Sequence, residues 1–176
     1  DVCSSDLGIF TILYLVGIVG FALPLHPEFP RLTPLNLGLS LLAAMAFHRP
    51  FGFKFVFFIL FAGVFGWVIE AVGVSTGKIF GTYHYDWALG YKLFETPLSM
   101  AINWALTVYC CGIAVNMLLT DAKWWVRTVV AAALMVSLDV LIEPIAMRYG
   151  FWSWANDDVP FQNFVGWFVV SLPIQA

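Results

Sequence analysis

WVIEAVGVSTGKIFGTYHYDWALGYKLFETP, residues 67–97, leaves an apolar helix through Glu70, passes Gly73, Gly77, Gly81 and Gly90, and re-enters apolar sequence at Pro97. Its flanks read as membrane helix, and its middle alternates glycine with aromatic side chains. A second stretch of the same character, around residues 149–167, lies near the C-terminal end. The pattern predicts an all-α, polytopic membrane bundle of about six transmembrane helices, with long aromatic and glycine-rich loops gathered on one side.

Composition sets the class. Hydrophobic residues make up 61% of the 176-residue chain and charged residues 11%, with a mean hydropathy of +0.88, far from the balance of a soluble domain. A net charge of -3 with scattered Lys and Arg leaves no basic stripe for nucleic acid. Cys3, Cys110 and Cys111 show no CxxC or His-partnered spacing and read as packing residues. His26, His48 and His84 are far apart and lack HxxxH or HxxE spacing, which argues against a histidine-cluster metal site.

A helix needs about 20 apolar residues to cross the hydrocarbon core. Working outward along the chain, residues 8–25, 54–72, 97–119 and 126–147 meet or approach that length. Residues 35–47 are short for a span, and 164–174 begin a sixth. Residues 26–34, HPEFPRLTP, form an interfacial connection. Residues 1–7, DVCSSDL, match the translation of a common sequencing adapter and are read as an artefact. Residues 8–176 are then a single membrane domain, an incomplete fragment. The basic residues divide evenly, with Arg49, Lys54, Lys123 and Arg127 on one side and Arg31, Lys78, Lys92 and Arg148 on the other, so they leave the orientation open.

Chemistry is expected where polar groups resist the bilayer. Glu70, Asn103, Asn116, Asp139 and Glu143 interrupt apolar helices, and an ionisable group costs about 2.5–3.5 kcal/mol at a helix centre. Asp139 and Glu143, four residues apart, share one helix face; Trp67 and Glu70 share another. The plainer alternative is that Glu70 and Glu143 reach water near the interface and that Asp139 is a structural hydrogen-bonding group. Trp124 and Trp125 need no more than an interfacial role, whereas Tyr83, Tyr85, Trp87, Trp152 and Trp154 are interleaved with glycines.

Four ordered blocks, EAVGVSTGKIFGTYHY, LGYKLFETPLSMAINW, DVLIEPIAMRYGFWSW and PFQNFVGW, resemble the CruF-type carotenoid 1,2-hydratases, a family of carotenoid biosynthesis membrane proteins. The resemblance covers residues 70–167. In that pattern fall Glu70, Gly77, Phe80, Gly81, Tyr83, Tyr85, Pro97, Trp104, Asp139, Pro144, Trp152, Trp154, Asn163, Gly166 and Trp167. It implies addition of water to the terminal C1=C2 double bond of an acyclic carotenoid end group, lycopene-like or gamma-carotene-like, with no cofactor. It carries no catalytic assignment of its own.

Such a hydration protonates C2 and lets water capture a tertiary cation at C1. The acid must hold its proton near neutral pH, and an apolar cavity disfavours a charged carboxylate. Asp139 is the expected proton donor, with Glu143 or Glu70 as the group that holds and deprotonates water. Trp104, Tyr83 and Tyr85 are candidates to face the cation; Trp152, Trp154, Asn163 and Trp167 complete the expected substrate-binding set. The plainer reading is that the aromatics pack against a polyene or one another. Expected partners are the carotenoid, the lipid bilayer and other carotenoid enzymes, in the bacterial cytoplasmic (inner) membrane. The rivals are a carotenoid end-group cyclase and a non-enzymatic transporter or assembly protein, although a transporter would be expected to carry an internal repeat.

Overall fold

The computed structural model describes residues 2–23 and 26–176, with side chains described from residue 8 onward. The segment read as an adapter, and Pro24 and Leu25 at the end of the first apolar run, therefore lie outside the described side chains. Six helices follow one another: α1 (Val2–Ala22), α2 (Thr33–Phe47), α3 (Phe53–Thr76), α4 (Ser99–Leu118), α5 (Trp124–Arg148) and α6 (Phe161–Gln175). A short 3₁₀ turn, Phe29–Leu32, joins α1 to α2.

The expected six helices are present, but among the described residues three of them, α3, α4 and α5, are long and apolar enough to cross a membrane. At 1.5 Å per residue, the 15 residues of α2 extend about 22 Å, less than a 30 Å hydrocarbon core. Helix α3 runs four residues beyond the expected end at position 72, because Gly77, at φ 65, caps it in the left-handed conformation and accepts no side chain cheaply. Exposed side chains on the long helices are apolar, as with Phe57, Leu60, Phe61 and Val64 on α3. Apolar residues on both the packed and the exposed faces mark helices that sit in lipid. The chain is an integral membrane protein.

From Ala62 onward the inward face of α3 is made of small residues: Ala62, Gly63, Gly66 and Gly73 are buried together with Glu70. Small residues let helices approach closely where lipid supplies no hydrophobic drive. At Gly66 the approach is closest, since a Cβ there would come within 2.2 Å of Trp104 Cγ on α4. Trp104, fully buried, is thereby seated directly beside Glu70.

The two aromatic stretches leave the bundle at the same end and pair with each other. Strand β1 (Tyr83–Tyr85) runs antiparallel to β4 (Trp152–Trp154), with Tyr83 opposite Trp154 and Tyr85 opposite Trp152. Side chains alternate across a strand, so Tyr83, Tyr85 and Trp154 are buried while His84 is exposed. A second small hairpin, β2 (Lys92–Leu93) with β3 (Thr96–Pro97), returns the chain to α4. Arg31 lies over the Trp87 ring at 5.2 Å, and the Tyr149 hydroxyl donates to the Phe21 carbonyl at 2.6 Å, tying the ends of α1 and α2 to this end of the bundle.

Candidate active site

Three carboxyl groups meet beneath the paired strands, and all three are buried, at 2% exposure for Glu70, 5% for Asp139 and 4% for Glu143. Helix α3 packs mainly on α4, and α5 on α6. Glu70 therefore enters from a helix packed mainly on α4 and stands across the site from the acids of α5.

Glu70 accepts three hydrogen bonds. Tyr83 and Tyr85 donate their hydroxyls to Oε2, the second at 2.9 Å, and Trp104 Nε1 donates to Oε1 at 3.1 Å. Both tyrosines lie on the loop outside the helices, and their phenols are pushed well above the ordinary value near 10, chiefly by burial and then by the adjacent Glu70. They remain protonated donors throughout the physiological range. Trp67, on the same helix face as Glu70, is not among its partners; its ring lies toward Phe94, 6.3 Å between centroids.

Across the cavity, Glu143 also takes three bonds. The indoles of Trp152 and Trp154 both donate to Oε2 at 2.9 Å, and Asn163 Nδ2 donates to Oε1 at 3.1 Å. The same Asn163 amide donates to Asp139 Oδ2 at 2.6 Å. The four-residue spacing on α5 and one amide from α6 thus clamp two acids side by side. Asp139 differs from the other two: among the described residues Oδ1 has no protein partner.

The space between these walls is a cavity of about 20 Å³, lined by Glu70, Asp139, Glu143, Tyr83, Tyr85, Met100, Trp152, Trp154, Asn163 and Trp167. That exceeds the roughly 10–15 Å³ that a single water needs, and its lining offers water several polar partners. Nine of the ten residues singled out from the sequence line it. The tenth, Trp104, lies behind the wall, stacked on Trp167 with ring centroids 4.2 Å apart and planes 5° apart. Trp104 therefore presents its N–H to Glu70 and its face to Trp167, and it is Trp167 that faces the cavity.

Met100 is the lining residue that sequence reasoning missed. Nothing in SMAINW marks it chemically, although it stands four residues before Trp104 and so on the same face of α4. The histidines lie elsewhere. His84, on the outer face of β1, approaches Asp86 at 3.3 Å; His48 bonds the Tyr109 hydroxyl at 3.0 Å; His26 Nδ1 accepts from the Glu28 amide. Asn116 accepts from Arg127 at 3.1 Å, away from the three acids.

Among curated proteins, the chain is similar to the bisanhydrobacterioruberin hydratase of Haloarcula japonica, with 30% identity over 110 residues. That alignment covers 59% of this chain and 38% of the relative, so the chain spans well under half the length of the protein it matches. No solved structure matches the chain. The family described as carotenoid biosynthesis protein matches residues 33–176, a region that contains every residue of the cavity. The chain belongs to the carotenoid biosynthesis protein family.

Proposed function

We propose that this protein adds water across the terminal C1=C2 double bond of an acyclic carotenoid end group, a CruF-type 1,2-hydration. The observation that carries the reading is a cavity with room for about one water, walled by three buried carboxyls and aromatic rings. The relative named as a hydratase supports the same reaction type.

In this mechanism the free Oδ1 of Asp139 delivers the proton. The Asp139 O–H bond breaks, the alkene π pair forms the new C2–H bond, and C1 becomes a tertiary cation. The negative face of Trp167 meets that charge, with Trp104 stacked behind it. Water then forms the C1–O bond and passes a proton to the Glu143 carboxylate, and return of that proton to Asp139 resets the pair. The sum is addition of one water, with no change in oxidation state overall. Positioning of the acid and the base on one helix turn, one amide apart, suits paired general acid and base work. Glu70, held by three donors, keeps the opposite wall rigid and polar for the water. The proposed setting is the bacterial cytoplasmic membrane, where the lipid-soluble substrate resides.

The test is the pigment profile of a lycopene-producing bacterium expressing the full-length gene, read by chromatography and mass. A product heavier by the mass of one water per modified end is expected. A ring-bearing product of unchanged mass would make the protein a cyclase instead.

A further inference from the structure

At about 20 Å³ the acid cavity is far too small for the length of a polyene, so the bulk of an apolar substrate has to be held by an adjoining surface. Such a surface lies between α1 and α2, where a crevice of about 240 Å³, twelve times the 20 Å³ of the acid cavity, is walled by Ile12, Leu13, Val16, Leu35, Leu39 and Phe151. Among the described residues its polar lining is Thr33 and Asn36. Several wall residues, Ile12 and Leu35 among them, are more than half exposed, so the crevice opens at the surface of the bundle.

Phe151 joins the two spaces. It forms part of the crevice wall, and its neighbour Trp152 closes the acid cavity; the two rings are 6.2 Å apart. Its backbone is held on both sides, the carbonyl by the Asp86 amide at 2.9 Å and the amide by the Ala146 carbonyl at 3.0 Å. On the far side, Phe21 meets Phe151 edge-on at 6.1 Å. Phe29 is seated on α1 at Gly20, where a Cβ would come within 1.9 Å of its ring. The crevice thus ends on aromatic edges beside the wall of the acid site.

We infer that the crevice between α1 and α2 binds the polyene chain of the substrate and feeds its end group past Phe151 to the acids. The occupant rests on the hydration reading, and the match is chemical: a conjugated polyene is a stiff, apolar rod without hydrogen-bonding groups, and a largely apolar slot with aromatic walls is complementary to it.

Gly17 offers a clean test. It lines the crevice, and a Cβ there would meet nothing within 4 Å, so a larger side chain enters the slot without disturbing the helix packing. Gly38, on α2, is equally open but does not line the crevice. Wild type, Gly17→Leu and Gly38→Leu are reconstituted in lipid nanodiscs, titrated with lycopene, and the retained pigment per folded protein is measured by absorbance. Gly17→Leu is expected to lower retention about tenfold, as overfilling a fitted apolar site does, with Gly17→Ala in between and Gly38→Leu at the wild-type level. Retention in Gly17→Leu equal to wild type, or an equal loss in Gly38→Leu, overturns the assignment. The readout is binding, so a wild-type protein that retains lycopene through Gly17 yet forms no hydrated product would support the crevice and refute the hydration.

Discussion

The two walls of the acid cavity are built differently. On the α3 side a single acid, Glu70, is saturated by neutral donors from a loop and from α4. On the α5 side two acids share one amide, and Asp139 keeps an oxygen without a protein partner. The first arrangement is one of structure: every donor is satisfied, and removing one leaves a buried polar group that costs about 1–3 kcal/mol. The second leaves a group available to react. Burial alone does not distinguish the acids, since all three are 5% exposed or less; the number of donors sets Asp139 apart, with one against three each for Glu70 and Glu143.

The largest effect that separates the walls is expected from Asp139→Asn. Hydration should fall by about 10²–10⁴-fold, the range for loss of a general acid, while the amount of protein in the membrane stays level; product at the wild-type rate would remove Asp139 from the chemistry. Gly66→Ala comes next and strikes the other wall. Its Cβ displaces Trp104 from beside Glu70, and overpacking of this kind costs about 1–3 kcal/mol, read as lower thermal stability in detergent. An unshifted unfolding curve would mean that the contact at Gly66 does not hold Trp104.

A double-mutant cycle sharpens the comparison further. Glu70→Gln and Tyr85→Phe should be non-additive in stability by about 0.5–3 kcal/mol, because each leaves the other's partner unmatched. Additive losses would mean that the Tyr85 bond contributes nothing. The tyrosines also set a pH dependence. Their folded phenol values lie above the unfolded value, so their contribution is complete below about pH 10 and is lost as pH rises through the folded values. The Tyr83→Phe/Tyr85→Phe double variant should lack that part of the alkaline loss in a stability titration. The smallest effect is predicted outside both walls. His84, 70% exposed in its side chain, should tolerate alanine within about 0.5 kcal/mol and with unchanged product; a large loss would bring the outer face of β1 into the site.

Much of this site was legible in the sequence because its signals are local. Asp139 and Glu143 reveal a shared face by spacing alone, and intramembrane carboxyls stand out against apolar neighbours. The tyrosine and tryptophan pairs, each spaced by two, carry the strand period, but the pairing of Tyr85 with Trp152 and of Tyr83 with Trp154, far apart in the chain, rests on tertiary packing that no window of sequence reports. The same holds for Trp104. Its type marked it as a candidate, yet only the glycine face of α3 and the stacked Trp167 decide that it supports the wall rather than lining the cavity. Met100 was silent for the opposite reason, being ordinary in type and placed by helix geometry. Helix number and the shortness of α2 were both readable from the apolar runs, the latter because proline-containing segments flank residues 35–47.

The central claim is that water adds across an alkene at this cavity, and isotopic labelling of the wild-type protein with an acyclic carotenoid tests it most directly. In water carrying both deuterium and heavy oxygen, the product should gain one deuterium at C2 and one heavy oxygen at C1 for each modified end. Deuterium without oxygen, or no incorporation of either into a modified product, would contradict hydration.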